Sequence, residues 1–242
     1  EGKAKIAGNE NIVLVCERAL LSGPLAGQRV LITSGRCEEP LDDVRVLTTR
    51  STGLMGRMLA LQAFRLGADV TVVHAGRFPG VRNIPVTSAA EMREAVLSHL
   101  ERRGADIYVS AAAVSDFAPD RLPGKLMSGS ETTVMLRPLP KLIDQVMEKY
   151  HPLTVAFKMG WESEAGTAAM LSRGIPLVVT NTPDVMGAPD GSFRLVSGNG
   201  SREVAGTKEE VAVAIWAAVV GIMKETGSSH PGPLFESALR KD

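Results

Sequence analysis

Cysteine is scarce in this sequence, and that scarcity excludes two classes of protein. The 242 residues contain Cys16 and Cys37 and no CxxC pair. A secreted disulfide scaffold offsets a small core with many cysteines, and a structural zinc site needs closely spaced Cys or His ligands. We therefore expect neither a disulfide scaffold nor a metal cluster.

The sequence also lacks net charge, long apolar runs and a signal peptide. Lys plus Arg and Asp plus Glu both total 27, so there is no basic excess for binding nucleic acid. The strongest membrane candidate, VAVAIWAAVVGIM at 211–223, is shorter than the roughly 20 residues that a spanning helix needs. The start, EGKAKIAGNENIV, has no signal-peptide pattern. We expect binding to neither nucleic acid nor membranes, and the cytoplasm as the default compartment.

What is present is an alternation of β-branched runs and helical periodicity, in a chain with 44% apolar residues. Strands are predicted at 29–33, 69–76, 83–87, 105–114, 131–138, 153–159 and 175–181, with a hairpin around 197–200. Helices are predicted at 51–66, 88–104, 140–150, 163–174 and 207–226. This order predicts an α/β fold: a Rossmann-like, mostly parallel sheet with helices on both faces, plus a small antiparallel extension or flap.

Parallel sheets bind ligands at the carboxyl ends of their strands, so the segments after the strands are candidate sites. One of them, STGLMG at 51–56, begins a predicted helix. Ser51 or Thr52 can cap the helix, while Gly53 and Gly56 let backbone amides approach an anion. The helix dipole favours a negative charge there by roughly 0.3–1 kcal/mol. The alternative is a plain cap with Gly56 packed on the sheet.

Two further segments carry candidate ligand-binding side chains. Asp116 in SAAAVSDF follows a strand, where its carboxylate suits a ribose, a base or Mg²⁺. Lys125 lies on a Gly- and Pro-rich loop, where it is either a partner for a triphosphate or a surface lysine. Phe157, at the end of another strand, either stacks on a base or belongs to the core.

Two common nucleotide-binding patterns are missing. No GxGxxG follows the first strand, His74 stands where a ribose-binding acid is expected, and no GxxxxGK[ST] occurs. A P-loop is therefore excluded. An oxidoreductase with a divergent fingerprint stays as one hypothesis, and cofactor fluorescence on mixing with a nicotinamide dinucleotide would reveal it.

Four stretches together resemble one known family. They are VLITSGRCEEPLDDVRVLTTRSTGLMG, AAAVSDFAPDRLPGKLM, AFKMGWESE and LVVTN. Over about residues 28–220 the chain resembles phosphopantothenate–cysteine ligase (phosphopantothenoylcysteine synthetase) of coenzyme A biosynthesis. EGKAKIAGNENI resembles the tail of the flavin-dependent decarboxylase often fused ahead of this ligase. The resemblance implies a linker or decarboxylase tail at 1–26, a ligase domain at 27–226 with a flap near 115–137, and a C-terminal tail at 227–242.

The resemblance also implies a reaction. The carboxylate of 4′-phosphopantothenate attacks the α-phosphate of CTP or ATP, which gives an acyl-nucleotidylate and pyrophosphate, and the amine of cysteine then displaces the nucleoside monophosphate. Such chemistry needs positive potential and Mg²⁺ rather than a covalent nucleophile. The family is dimeric, so we expect a homodimer or higher oligomer in which the flap reaches toward the partner.

Residue by residue, the resemblance implies catalytic roles for Lys125, Thr49 and Asp116, with Asp116 also the metal ligand. The other expected substrate- and nucleotide-binding residues are Gly35, Arg45, Arg50, Ser51, Thr52, Gly53, Met55, Gly56, Ala112, Ala113, Phe117, Leu139, Pro140, Phe157, Lys158, Arg173 and Asn181.

The sequence departs from the family pattern at several of these positions. Thr49 stands where the family usually has Asn, and Thr lacks the paired donor and acceptor of an amide. Leu54 and Ala169 replace frequent lysines, and Leu139-Pro140-Lys141 replaces Asn-Pro-Asp. These departures motivate a second hypothesis, a ligand-binding relative that has kept the fold and lost the chemistry.

Overall fold

The computed structural model describes residues 8–20, 23–129, 131–160 and 163–227. Its strands are β1 (Arg29–Thr33), β2 (Glu38–Pro40), β3 (Val46–Thr48), β4 (Asp69–His74), β5 (Arg82–Pro85), β6 (Ile107–Ser110), β7 (Phe117–Pro119), β8 (Leu136–Pro138), β9 (Leu153–Met159), β10 (Leu177–Asn181), β11 (Asp190–Ser197) and β12 (Gly200–Thr207). Its helices are α1 (Asn9–Leu20), α2 (Leu54–Arg65), α3 (Ala89–Arg103), α4 (Leu142–Lys149), α5 (Ser163–Ser172) and α6 (Lys208–Glu225), with a 3-10 turn at Pro183–Val185.

Eight strands form the central sheet, in the order β12-β11-β10-β9-β6-β1-β4-β5. The six strands from β10 to β5 are parallel. The hairpin of β11 and β12 adds to this sheet in the antiparallel sense. Two separate antiparallel ribbons, β2–β3 and β7–β8, lie outside it. The predicted fold class is therefore confirmed.

The two faces of the sheet carry separate apolar clusters, because successive side chains of a strand point to opposite faces. On β1, Val30 and Ile32 pack in the cluster that α2 and α6 cover. Leu31, between them, packs in the cluster that α3 and α4 cover. Both clusters consist mainly of aliphatic residues. This double coverage explains why the central parallel strands are mostly apolar rather than alternating.

Helices α3 and α6 begin where their sequences predict. Ser88 caps α3 and Thr207 caps α6, and each forms a capping box with the glutamate three residues later. The predicted helix at 51–66 is corrected at its start: α2 begins at Leu54, because Gly53 adopts a left-handed conformation with φ of 76° and serves as the N-cap. Neither Ser51 nor Thr52 therefore occupies the cap position.

The stretch predicted as a linker, 1–26, contains helix α1, which packs against α2. The guanidinium of Arg18 donates hydrogen bonds of 2.8, 2.7 and 2.7 Å to the carbonyls of Phe64, Ala68 and Gly67. A cation at the carboxyl end of a helix is favoured by the helix dipole. The proposed division at residue 26 stays a prediction, and of the predicted tail at 227–242 only Gly227 lies within the described residues.

The stretch between β1 and α2, where no strand was predicted, contains the ribbon β2–β3. The strand predicted at 131–138 is confirmed over Leu136–Pro138, where it pairs with β7 outside the main sheet. Among the described residues, no helix combines the length and apolar character needed to cross a membrane.

Helix α6 is anchored to α2 by Trp216, which is 1% exposed and donates from Nε1 to the carbonyl of Leu59 at 2.9 Å. We predict that Trp216→Ala lowers the free energy of unfolding by about 3–5 kcal/mol, because it leaves a large cavity and removes this bond. Val213→Ala, on the exposed side of the same helix, is the control and should change it by less than about 0.5 kcal/mol. Chemical denaturation measures both; a Trp216 effect as small as the Val213 effect would contradict the prediction.

Candidate functional site

A cavity of about 370 Å³ opens at the carboxyl ends of β1, β6, β9 and β10. The chain moves outward from β1 to β4 and β5, and outward in the opposite direction from β6 to β9 and β10. The switch point therefore lies between β1 and β6, where such sheets bind ligands. Thr33 and Ser110, which are paired in register across this point, both line the cavity.

The start of α2 forms one wall of the cavity. The hydroxyls of Ser51 and Thr52 accept long hydrogen bonds of 3.4 Å from the amides of Gly53 and Leu54, and the N-cap residue itself, Gly53, has no side chain to cap the helix. The amino end of a 12-residue helix, with its partial positive charge, thus faces the cavity. This wall is suited to a negatively charged group.

Gly56 has a packing role at the same wall. A Cβ on Gly56 would lie 2.2 Å from Oγ of Ser34 and 2.5 Å from its Cβ, closer than atoms can approach. Glycine is therefore required for α2 to sit against the end of β1. Of the two readings of this glycine, close packing on the sheet is confirmed, and Gly56 also borders the cavity.

The opposite wall is the segment that follows β6. The amides of Ala111 and Ala113 donate to the carbonyls of Thr33 and Gly35 at 3.2 and 2.8 Å, so this segment continues alongside β1. Its small side chains leave the backbone accessible from the cavity. Asp116 lies exposed at the rim, and its carbonyl accepts from the amide of Leu139 at 2.8 Å, which joins this wall to the start of α4.

The ends of β9 and β10 complete the cavity with Phe157, Lys158 and Asn181. Phe157 is half-buried and also packs against the core cluster under α2 and α6, so it belongs to both the core and the cavity lining. The side chain of Lys158 lies close to Gly166 of α5, with Cε 3.0 Å from where a Cβ would sit. One aromatic group, Phe157, and one basic group, Lys158, thus reach the cavity from the end of β9.

Lys208 is a cavity residue that the sequence did not predict. It is the first residue of α6 and only 5% exposed. Its ammonium donates to the carbonyl of Val185 at 3.1 Å and lies 4.5 Å from the ring centroid of Phe193. Burial lowers the pKa of Lys208, and the nearby carboxylate of Asp190 acts in the opposite direction. No local pattern reveals this role, because the β11–β12 hairpin returns the chain to the cavity.

The structure brings many of the predicted residues together. Those that line the cavity are Ser51, Thr52, Gly53, Met55, Gly56, Ala112, Ala113, Asp116, Leu139, Pro140, Phe157, Lys158 and Asn181. Those outside its lining are Gly35, Arg45, Thr49, Arg50, Phe117, Lys125 and Arg173.

The residues outside the lining lie in different parts of the structure. Thr49 is near the rim, since its hydroxyl donates to the carbonyl of Ala113 at 3.3 Å. Arg173 pairs with Asp144 of α4 at 2.7 Å, beyond α5. Arg45 and Lys125 lie on the loops that accompany the two ribbons, and Phe117 is exposed on β7. Whether these residues bind ligand stays a prediction.

His74, which replaces the expected ribose-binding acid, is buried at the end of β4, outside the cavity lining. Its Nε2 lies 2.8 Å from Oδ1 of Asn83, its ring contacts Phe78, and burial lowers its pKa. These contacts fix the loop between β4 and β5. They give His74 a packing role.

The donor set of the cavity fits a magnesium ion that arrives with a ligand. Within the described part of the chain, no group of three or more His, Cys, Asp or Glu side chains is placed to hold a metal. Asp116 supplies one carboxylate at the rim of the cavity. Mg²⁺ is commonly held by one or two carboxylates together with substrate phosphates, so a single carboxylate suffices.

The fold and the cavity define an α/β domain of Rossmann-like topology with a cavity where the strand order reverses. Residues 25–223 match the family described as DNA/pantothenate metabolism flavoprotein C-terminal domain, and the chain belongs to that family. The resemblance found in the sequence is thereby confirmed.

Known relatives agree with this assignment. The chain is 36% identical over 231 residues to the coenzyme A biosynthesis bifunctional protein CoaBC of Thermococcus kodakarensis, covering 89% of this chain and 57% of that protein. It is 34% identical to CoaBC of Bacillus subtilis, covering 79% and 50%. A crystal structure of a CoaBC C-terminal domain superposes with a TM-score of 0.70 at 27% identity, covering 84% of this chain and 100% of that one. The chain thus spans about half the length of the curated relatives it matches.

The buried ammonium of Lys208 predicts a pH dependence of stability. Because its pKa is lowered in the folded state, the unfolded chain binds more protons between that pKa and about 10.4, the value of a free lysine. The free energy of unfolding should therefore rise with pH across this window, and the rise should be absent in Lys208→Met. Denaturation at a series of alkaline pH values measures the difference between the two proteins, and a difference independent of pH would contradict the prediction.

Proposed function

We propose that this chain joins 4′-phosphopantothenate to cysteine at the expense of CTP or ATP, and so forms 4′-phosphopantothenoylcysteine for coenzyme A biosynthesis. The observation that carries the proposal is the cavity at the β1–β6 switch point, in a member of this family. All four stretches that carry the family resemblance meet there: the start of α2, the alanine segment ending at Asp116, the end of β9, and the end of β10 at Asn181. The names of the relatives refer to the same biosynthesis.

The cavity has the groups that this reaction needs. The amino end of α2 and the ammonium groups of Lys158 and Lys208 provide positive potential for phosphates. Phe157 offers an aromatic face for the base, and Asp116 would hold Mg²⁺, which neutralises phosphate charge during nucleotidyl transfer. The substrate carboxylate then attacks the α-phosphorus and pyrophosphate leaves. In the second step the cysteine amine attacks the acyl carbon, and the nucleoside monophosphate leaves.

A homodimer is part of the proposal. The two ribbons contact each other through β2 and β7 and expose apolar side chains. Val46 is 48% exposed, Phe117 47% and Leu136 45%. Exposed apolar patches mark protein interaction sites, and these three side chains lie on ribbons that contact each other. We infer that a second copy covers them and that the flap at 115–137 brings Lys125 toward the cavity of that copy.

We also propose that a flavin-dependent decarboxylase domain precedes this chain in the native protein. The relatives are described as bifunctional, and the chain matches about half of their length. The start of the sequence, EGKAKIAGNENI, resembles the tail of such a domain.

Pyrophosphate release tests the activity. The protein is mixed with Mg²⁺, 4′-phosphopantothenate and cysteine, with CTP in one sample and ATP in the other, and release that requires phosphopantothenate is expected with one of them.

Lys125→Ala should lower turnover roughly 10²-fold or more, as the loss of an electrostatic stabiliser does elsewhere. Lys224→Ala, an exposed lysine near the end of α6, is the control and should leave turnover unchanged.

Other outcomes would support the other hypotheses. If neither nucleotide gives pyrophosphate release while phosphopantothenate still binds, the chain is a relative that binds the ligand without activating it. A fluorescence change with a nicotinamide dinucleotide would indicate the oxidoreductase. A near-wild-type rate of Lys125→Ala would remove Lys125 from the mechanism.

Sedimentation tests the dimer. Val46→Arg places a charge on the exposed ribbon surface, and we expect it to shift the protein toward monomer, because a buried unpaired charge is costly. Val213→Arg, at a similarly exposed valine on α6, should not change the sedimentation coefficient. A wild-type protein that sediments as a monomer at micromolar concentration would contradict the proposed interface.

A further inference from the structure

The carboxylate of Asp42 is fully buried in the turn between β2 and β3, yet it lies outside the cavity. It accepts hydrogen bonds from the amides of Val44 at 2.7 Å, Arg45 at 2.6 Å and Leu126 at 2.9 Å. It also forms an ion pair with the guanidinium of Arg45. A buried carboxylate satisfied by this many donors is a fixed point of the structure.

These contacts join two segments that are far apart in sequence. Residues 41–45 form the turn of the first ribbon, and residues 122–126 belong to the flap. Besides the Asp42–Leu126 bond, the amide of Leu122 donates to the carbonyl of Leu41 at 2.9 Å, and the guanidinium of Arg45 lies 3.4 Å from the carbonyl of Leu126. We call this set of contacts the turn–flap clamp.

The clamp holds the backbone on both sides of Lys125. The residue before it, Gly124, accepts from the amide of Asp43 at 3.0 Å, and the residue after it, Leu126, donates to Asp42. The side chain of Lys125 itself is exposed. A lysine side chain has much rotational freedom, so a fixed backbone limits the region that its ammonium can reach.

The strength of the clamp is visible in the electrostatics of Asp42. The amide of Leu126 is the largest of the hydrogen-bonding causes that hold the pKa of this carboxyl well below its usual range, with the amides of Val44 and Arg45 adding to it against the opposing effect of burial. The carboxylate therefore stays ionised at neutral pH and favours the conformation in which the flap amide points at it.

We propose that Asp42 is a positioning residue, which through the turn–flap clamp sets the place of Lys125 and of the Arg45 guanidinium for catalysis. This inference rests on the proposed function, because it acts through Lys125. Asp42 itself touches no reacting group. Its contribution is to keep a flexible lysine within reach of the phosphates, so that this ordering does not have to occur in each turnover.

Asp42→Asn tests the proposal. The side-chain nitrogen of Asn donates hydrogen bonds and does not accept them. One of the backbone amides that bond to Asp42, or the Arg45 guanidinium, would therefore face this second donor. Asp43→Asn is the matched control: it makes the same charge change in the same turn and removes an exposed ion pair with Arg121 of the flap at 2.8 Å, but it leaves the buried hydrogen bonds to Asp42 in place. We expect Asp42→Asn to raise hydrogen exchange at 122–126 and to lower kcat at least about tenfold, the factor for a lost hydrogen bond to a charged group. Asp43→Asn should do neither.

A double-mutant cycle separates positioning from general destabilisation. If Asp42 acts through Lys125, then Lys125→Ala should lower kcat much less in the Asp42→Asn protein than in the wild type. If the fold losses in kcat of the two single variants multiply to give that of the double variant, the two residues act independently and the proposal is overturned. A wild-type kcat for Asp42→Asn would overturn it as well. Should Asp42→Asn fail to fold, Leu126→Pro removes the donor from the flap side and leaves the carboxylate in place, and the same losses are expected of it.

The proposed function can fail separately. A wild-type protein without turnover would contradict the ligase, and the clamp is then judged by exchange at 122–126 together with the affinity for CTP and ATP. If Asp42→Asn and Lys125→Ala weaken that affinity to the same extent, the positioning role is supported. If Asp42→Asn has the same exchange at 122–126 or the same nucleotide affinity as Asp43→Asn, the positioning role is overturned.

Discussion

The parallel pairing of β1 with β6 is the constraint on which the site depends. Once these strands lie side by side, their carboxyl ends meet at one edge, and the segments that follow them must leave in opposite directions. The gap between those segments is the cavity. Because Gly56 has no side chain, α2 approaches the end of β1 closely enough to contact Ser34, and this close approach limits the width of the cavity. The helix dipole is thereby brought to the same point as the alanine segment after β6.

The cavity is asymmetric in charge. Positive groups come from α2, from Lys141 before α4, from β9 and from the start of α6, whereas Asp116 is the carboxylate on its lining, at the rim. Lys208 illustrates how the fold supports this arrangement, because its burial cost is partly offset by the Val185 carbonyl and the face of Phe193. The ribbons add a second group of charged residues, Arg45 and Lys125, held by contacts of their own and separate from the cavity of the same chain. This separation supports the proposal that the chain acts as a dimer.

Local sequence signals located the central strands and most helices correctly. The capping boxes at Ser88 and Thr207 are complete within four residues, so they could be predicted without knowledge of the rest of the chain. The start of α2 was misplaced by three residues, since Gly53 takes a left-handed conformation that hydrophobic periodicity does not reveal. The ribbon β2–β3 escaped detection because its strands have three residues each and its valine and leucine side chains are exposed.

The sequence by itself determined the fold class and the segments that meet at the strand ends, because alternation of strands and helices permits few topologies and family motifs mark Asp116 and the start of α2. Tertiary structure alone decided which residues share the cavity. Lys208 lines it because of the hairpin that follows β10, Arg173 lies outside it and pairs with Asp144, and Asp42 bonds to Leu126 across more than 80 residues of chain. Such contacts join positions distant in sequence, so no local pattern carries them.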